Sequence, residues 1–150
     1  MARRECYGFL FFEVSGGIIA VTSAAPSADC ICQVPSCLAT TAIQEPLLGS
    51  DSRMTFCAAV DRNAYLPVHN RFYSKPQKPD DPAWNTANCR NRRIFDDRAG
   101  LCAARNVRPA LIQSYPRDMG NGVVIMMREI DAPIRVFGKH WGALRTAYKI

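Results

Sequence analysis

Apolar runs separated by turn signals dominate the chain from Met54 onward. Met54–Val60 is a continuous apolar run, which is typical of a strand covered on both faces. Further apolar runs at 110–115, 123–130 and 134–137 predict three more strands. The Asn121-Gly122 pair lies between the first two of these three and indicates a tight β-hairpin. The pattern therefore predicts several short strands joined by close turns.

A last strand follows a predicted two-residue turn at Gly138-Lys139, with glycine in the first position. Alternate residues of a strand point to opposite faces. One face carries Leu144 and Tyr148, and the other carries Arg145. We predict that the Leu144/Tyr148 face is the buried one.

The middle of the chain predicts turns, a loop and a helix. Residues 61–64 predict a turn in which Asn63 can adopt a positive φ. Residues 65–69 continue as an extended segment, and residues 71–87, with three prolines, predict a long surface loop. Asn88 is a suitable N-cap for a helix that starts directly after it. Strands with a helical connection indicate an α+β fold, an antiparallel sheet with helices on one side.

The first 42 residues have a different character. Residues 1–28 resemble a secretory signal, but Glu13 and the Gly16-Gly17 pair interrupt the apolar run. Residues 26–42 are rich in Pro, Ser, Cys and Ala and predict coil. We expect an irregular or displaced segment over 1–42 and one domain over 43–150, which opens with a helix end broken at Pro46. The expected location is cytoplasmic, or secreted or periplasmic if residues 1–28 act as a signal.

Charge and cysteine content change this picture little. The first fifty residues hold two basic and four acidic side chains, whereas the other hundred hold 17 basic and nine acidic ones. The arginines are interleaved with aspartates rather than forming the continuous basic stripe that polyanions require, so no nucleic acid is expected as a partner. Seven cysteines cannot all pair with one another, and reduced thiols are favoured over a disulfide framework.

Polar side chains that can hold a small ligand concentrate between residues 88 and 118. Guanidinium groups bind carboxylates through two hydrogen bonds, and a nearby aspartate can hold an ammonium group. The candidate ligand-binding residues are Tyr65, Arg92, Arg93, Gln113, Tyr115, Arg117 and Asp118. They could grip a small anion or an amino acid. The alternative is that Arg117 and Asp118 only brace the adjacent hairpin.

Two histidines complete the candidate set. His69 and His140 each lie near a predicted turn or strand end, and together they could serve as axial haem ligands, although structural hydrogen-bonding roles are favoured. No C-x-x-C-H haem-attachment motif and no metal-ligand spacing occur, so neither cofactor nor metal is expected. Asp96-Asp97 cannot act as an acid–base pair, because adjacent helical side chains diverge by about 100°. No catalytic motif indicates an enzyme.

These segments resemble a PAS- or Cache-like sensory domain of bacterial methyl-accepting chemotaxis proteins. The matching motifs are IQEPLL at 43–48, FCAAVDRNAYLPVHN at 56–70, NCRNRRIFDDRAGLCAARN at 88–106, PALIQSYPRDMG at 109–120 and the segment 132–148. The resemblance implies a curved antiparallel sheet with flanking helices and a cavity that senses a small molecule. The chain departs from the family at Ala64, where glycine is usual, and at Pro116, where arginine is common.

The resemblance leaves the output of such a module open. The methylation helices and signalling hairpin of a chemoreceptor have no counterpart here, so the chain could sense a ligand but could not by itself control a kinase. A homodimer is compatible with this interpretation, and membrane insertion is not expected. The alternatives are a non-signalling binding or interaction protein, a degenerate remnant, and a small basic nucleic-acid-binding protein.

Overall fold

The computed structural model describes residues 7–14, 17–24 and 34–150. The strands are β1 (Tyr7–Val14), β2 (Gly17–Ala24), β3 (Met54–Asp61), β4 (Tyr65–Leu66), β5 (Arg93–Ile94), β6 (Leu111–Asp118), β7 (Val124–Val136) and β8 (Lys139–Lys149). The helices are α1 (Val34–Gly49), α2 (Pro82–Asn88) and α3 (Arg98–Ala104), with a 3-10 turn at Arg71–Tyr73. The predicted α+β class is confirmed.

The main sheet has six strands, in the order β2-β1-β7-β8-β3, with β6 also paired to β7. All of its neighbours run antiparallel. The long strand β7 pairs with β8 on one side. On its other side it pairs first with β6 and then, at Arg135, with Glu13 of β1. β4 and β5 form a separate two-stranded ladder.

Each face of the sheet carries its own apolar cluster. The first cluster includes Phe56, Val60 and Met127, and partly buried Phe95, Leu101 and Tyr115 pack against it. The second contains Cys57, Ala59, Ile134 and Leu144, against which Ile43, Leu47 and Leu48 of α1 pack. β3 is therefore buried on both faces, as its continuous apolar run predicts.

Within the first 42 residues, the parts that the structure describes (7–14, 17–24 and 34–42) are more regular than the sequence predicts. β1 and β2 pair along their whole length, from Tyr7 with Ala24 to Val14 with Gly17. α1 begins at Val34, so the predicted coil over 26–42 is wrong from that residue onward, and the boundary at 42 lies inside a helix. Pro46 lies within α1 and does not end it. The packing of Leu47 and Leu48 against the sheet offsets the hydrogen bond that the proline removes.

The segment between β4 and β6 also departs from prediction. The expected loop over 71–87 contains the 3-10 turn and α2, which Asp81 caps by accepting a hydrogen bond from the Trp84 amide at 2.8 Å. Asn88 ends this helix instead of starting one. The next helix, α3, is capped by Asp97, whose Oδ1 accepts from the Gly100 amide at 3.0 Å. Both helices are too short for a strong 3.6-residue pattern, so their caps are the clearer signals.

The turns confirm some predictions and correct others. The hairpin at Asn121-Gly122 is present, with positive φ at both residues. The turn between β7 and β8 is formed by Phe137 and Gly138, so glycine is second and not first. In the turn after β3, Ala64 has the positive φ, 61°, rather than Asn63. Glycine, which the resemblance leads one to expect at this position, would adopt that conformation without strain.

One prediction about the last strands is wrong, and another is only partly confirmed. The segments 123–130 and 134–137 form one strand, β7, which continues through Pro133. Proline is tolerated there because it lies between the stretch paired with β6 and the residue paired with β1. In β8 Leu144 is buried, as predicted, but Tyr148 is only half buried, and the opposite face is also buried at Ala143, Arg145 and Ala147. Among the described helices, none combines the length and apolar character of a membrane span.

Candidate functional site

A cavity of about 690 Å³ lies between the inner face of the sheet and the segment from α2 to α3. Its sheet wall is formed by Phe56, Gln113, Ser114, Tyr115, Pro116, Arg117, Asp118 and Arg145. The opposite wall is formed by Leu66, His69, Thr86, Arg90, Arg93, Phe95, Asp97, Arg98 and Ala99. Its volume falls within the range of roughly 300–1,000 Å³ that is usual for small-molecule sites.

Arg117 is the central charged residue of the sheet wall. It is only 2% exposed, and alternation along β6 turns its side chain inward with Gln113 and Tyr115. Its guanidinium carbon lies 4.8 Å from the ring centroid of Phe56 and 4.4 Å from that of Tyr73. None of its three guanidinium nitrogens makes a hydrogen bond of good geometry with the described residues. Burial lowers the pKa of Arg117, an effect that the charges of Tyr73 and Tyr115 and the close approach of the Tyr73 side chain partly oppose.

Arg90 and Arg93 bring two more guanidinium groups to the opposite wall. Their guanidinium carbons lie 5.5 Å and 5.8 Å from the ring centroid of Phe95. Arg90 Nη1 donates to the backbone carbonyls of Thr86 and Asp118, each at 2.9 Å, and so links α2 to the end of β6. Burial, together with repulsion from Arg117 and Arg93, lowers the pKa of Arg90 to about 10. These arginines form a cluster of like charge.

Arg145, in contrast, is neutralised by carboxylates on the neighbouring strand. Its Nη2 donates to both carboxylate oxygens of Glu129 at 2.8 Å, and its Nε lies 3.8 Å from Asp131 Oδ1. The Gln113 Nε2 lies within 3.0 Å of Glu129 Oε1, Asp131 Oδ2 and the Ala99 carbonyl. Gln113 thus joins the network to the start of α3.

Protonation in this network follows from burial. Burial raises the pKa of Glu129, although Arg145 and Gln113 oppose it. Burial and then the Glu129 charge raise the pKa of Asp131 to about 7. Burial disfavours the charge of Arg145, but the carboxylate of Glu129 outweighs that effect and raises its pKa. Burial also raises the pKa of Tyr115 to about 12, so its hydroxyl remains protonated at neutral pH.

His69 is a neutral member of the cavity wall. Its ring packs against Phe56 and Tyr73 at centroid distances of 5.1 Å and 4.8 Å, and its Nδ1 accepts a hydrogen bond from the Asn70 amide at 2.8 Å. Burial, followed by the charges of Arg117 and Arg90, lowers the pKa of His69 well below its usual value. A neutral imidazole adds no positive charge to the arginine cluster.

The structure brings together six of the nine residues proposed from the sequence. His69, Arg93, Gln113, Tyr115, Arg117 and Asp118 line the cavity. Tyr65 and Arg92 do not line it. His140 lies instead in a second cavity of about 270 Å³, beside Asp61 and Trp141. Since the two histidines line different cavities, they cannot serve as a pair of axial haem ligands.

Asp118 and Asp97 are not free to bind an ammonium group, the role that the sequence suggested for an aspartate. Asp118 Oδ1 accepts from the Gly120 amide at 2.8 Å and braces the hairpin, and Asp97 caps α3. The bracing role proposed for Arg117 and Asp118 together therefore applies to Asp118 alone. Arg117 has no part in the hairpin, because its side chain lies over Phe56 and Tyr73.

Sequence reasoning missed Arg90, Arg145 and Phe95. A signal for Arg145 existed: Glu129 and Asp131 are two residues apart, so one face of a strand carries two carboxylates that need a cation when buried. Among the described residues, no cluster of three or more His, Cys, Asp and Glu side chains could hold a metal ion. Comparisons with protein-family models, with curated proteins and with solved structures find no match for this chain.

Proposed function

We propose that this chain is a small-molecule-sensing module related to the PAS- or Cache-like sensory domains of bacterial methyl-accepting chemotaxis proteins. The sequence resemblance over residues 43–150 supports this relationship. An antiparallel sheet with helices across a cavity is compatible with it. The module acts in signal transduction, alone or as part of a larger assembly, and binds its ligand without transforming it.

One observation carries the binding proposal: a buried guanidinium group without a hydrogen bond, that of Arg117, lines the cavity. Buried polar groups are nearly always paired, and an exception calls for a ligand, an ion or water as its missing partner. A buried charge without a partner generally destabilises a protein by several kcal/mol. A role in ligand binding explains why the chain keeps such a charge at Arg117.

The two walls of the cavity suggest how binding can produce a signal. Few direct hydrogen bonds join them: Gln113 to the Ala99 carbonyl, and Arg90 to the Asp118 carbonyl. A ligand held by Arg117 on the sheet wall and by Arg90 or Arg93 on the opposite wall adds contacts that exist only when the walls are close. It therefore shifts the population toward a closed arrangement of the α2–α3 segment.

Thermal-shift measurements over organic acids, amino acids and haem test the binding proposal, because a ligand that binds the folded state raises its melting temperature. Arg117→Gln should abolish the shift. Arg128→Gln is the matched control, since Arg128 is exposed on β7 and does not line the cavity. If no compound stabilises the chain, or if Arg117→Gln responds like the parent, the proposal is wrong.

Hydrogen exchange separates a sensor from a binding protein without output. With ligand bound, a sensor should show slower amide exchange over residues 82–104 than in the free state, while exchange in β7 and β8 changes little. Slower exchange confined to Arg117 and its immediate neighbours would favour the non-signalling alternative.

A further inference from the structure

The charges around the cavity identify the class of ligand, an inference that rests on the function proposed above. Arg90, Arg93 and Arg117 line the cavity, and no carboxylate of the described residues lies within salt-bridge distance of any of them. Arg145 is the cavity-lining arginine that a carboxylate neutralises. Several positive charges therefore face the same cavity, and an anion of more than one charge relieves their mutual repulsion best.

The shape of the site favours carboxylates over other anions. The Arg117 guanidinium lies over the rings of Phe56 and Tyr73, and its N–H groups lie in its own plane without a well-formed hydrogen bond to the described residues. That planar edge matches the two oxygens of a carboxylate. Phe56, Leu66 and Phe95 provide apolar surface along the cavity for a short carbon chain. A tetrahedral phosphate or sulfate ion has no carbon chain that could pack against this apolar surface.

The site offers nothing comparable for an ammonium group. Asp97 and Asp118 hold backbone amides of Gly100 and Gly120, and both side chains are exposed at the cavity rim. Glu129 and Asp131 belong to the network of Arg145 and Gln113. The ammonium group of an amino acid would lie among the three arginines, and no free buried carboxylate would be available to pair with it.

We propose that the cavity binds a small dicarboxylate that carries no amino group. One carboxylate pairs with the N–H edge of Arg117 on the sheet wall, and the other pairs with Arg90 and Arg93 on the opposite wall. Such a ligand spans the cavity and draws the two walls together.

Isothermal titration with a matched set of probes tests this assignment. Succinate and aspartate differ by one ammonium group, whereas succinate and butyrate differ by one carboxylate. Malonate, glutarate and adipate vary the separation of the two carboxylates, and inorganic phosphate supplies charge without carbon. We expect the best dicarboxylate to bind at least roughly tenfold more tightly than butyrate, aspartate or phosphate, since charged hydrogen bonds dominate its affinity.

Variants of the two walls should give different results. Arg117→Gln should weaken binding of the best dicarboxylate roughly 10- to 100-fold. Arg93→Gln removes a charge whose side chain is exposed and holds no backbone group, so it should reduce dicarboxylate affinity toward that of butyrate and leave butyrate unchanged. Arg90→Gln should act in the same direction, with circular dichroism to check folding. Arg128→Gln should have no effect.

Other outcomes overturn the assignment in distinguishable ways. Equal affinity for aspartate and succinate, or for butyrate and succinate, would reject the dicarboxylate while leaving the cavity as a sensory site. Stabilisation by haem or an uncharged compound, with none by dicarboxylates, would do the same. If no compound binds, the function proposed above fails along with this inference.

Discussion

Arg145 donates from Nη2 to both carboxylate oxygens of Glu129 at 2.8 Å, and the two side chains are 5% and 0% exposed. This ion pair joins β8 to β7 on the face that bears the cavity. It places a fixed, neutralised charge beside the unpaired guanidinium of Arg117. The difference between the two arginines is the basis for assigning one to the fold and the other to a ligand.

Arg145→Met should destabilise the protein strongly, because Glu129 and Asp131 would then be buried without a cation. Removing one partner of a buried ion pair generally costs about 3–5 kcal/mol. Urea unfolding at neutral pH measures this loss as a lower midpoint. The control is Arg53→Met, which breaks the exposed pair with Asp51 and should leave the midpoint unchanged. Equal midpoints for the two variants would contradict the buried pair.

Asp131 should make the protein less stable as the pH rises from about 4 to about 7. Burial and the Glu129 charge raise its pKa from 3.8 to about 7, so in this range the folded state binds a proton that the unfolded state has released. The loss is complete above the folded pKa and is on the order of 4 kcal/mol at most.

Comparing Asp131→Asn with the parent isolates this effect, because the amide does not titrate. His69 acts in the opposite direction: its pKa is lowered, so the unfolded state gains a proton as the pH falls below 6.5 and stability decreases there. That contribution is common to both proteins and cancels in the difference. We expect the parent to lose stability relative to Asp131→Asn as the pH rises. Asp96→Asn, at an exposed position, should follow the parent.

The sequence predicts those parts of the fold that depend on local patterns. β3 is predictable because a strand buried on both faces is apolar throughout, and the hairpin at Asn121-Gly122 is predictable because few other residue pairs adopt its turn. α2 and α3 are not predictable in this way, because seven residues complete barely two helical turns. Their positions depend on packing against distant strands, which local propensity does not determine.

The candidate site also contains residues that the sequence predicts and residues that it does not predict. Arg117, Gln113 and Tyr115 alternate along one strand, so the sequence could place them on one face. The burial of Arg145 depends on its pairing opposite Asp131 across β7 and β8, a register that only the folded sheet fixes. The role of Arg90 depends on a contact with the Asp118 carbonyl 28 residues away. The pairing of Arg145 with Asp131 and the contact of Arg90 with the Asp118 carbonyl therefore cannot be identified from residues that are neighbours in sequence.

Phe137→Asn should stabilise the protein by relieving backbone strain in the turn between β7 and β8. Phe137 has a φ of 50° and is 75% exposed, so its side chain contributes little packing. Asparagine tolerates this conformation far better than phenylalanine. We expect a gain of roughly 0.5–1 kcal/mol, or about 2–4 °C in Tm at most. Phe137→Ala is the control: it removes the same ring but keeps the strain, and a gain of equal size there would contradict the explanation.

Arg117→Met should stabilise the free protein while it removes the response to ligand. The unpaired guanidinium costs free energy because it is buried, and its contacts with Phe56 and Tyr73 return only about 0.5–2 kcal/mol. Methionine fills a similar volume without a charge, so we expect the free energy of unfolding to rise by about 1–2 kcal/mol. Urea unfolding with and without the best ligand measures both effects, and Arg128→Met should change neither.

The sign of this change distinguishes a residue retained for binding from one retained for the fold. A binding residue that lacks a partner in the free protein lowers the free energy of unfolding, so replacing it with an apolar residue should raise that free energy. A structural arginine, such as Arg145, loses stability on the same replacement because its carboxylate partners remain. If Arg117→Met lowered the urea midpoint as Arg145→Met is expected to do, the guanidinium would be part of the core, and the cavity would lose its anchor for an anion.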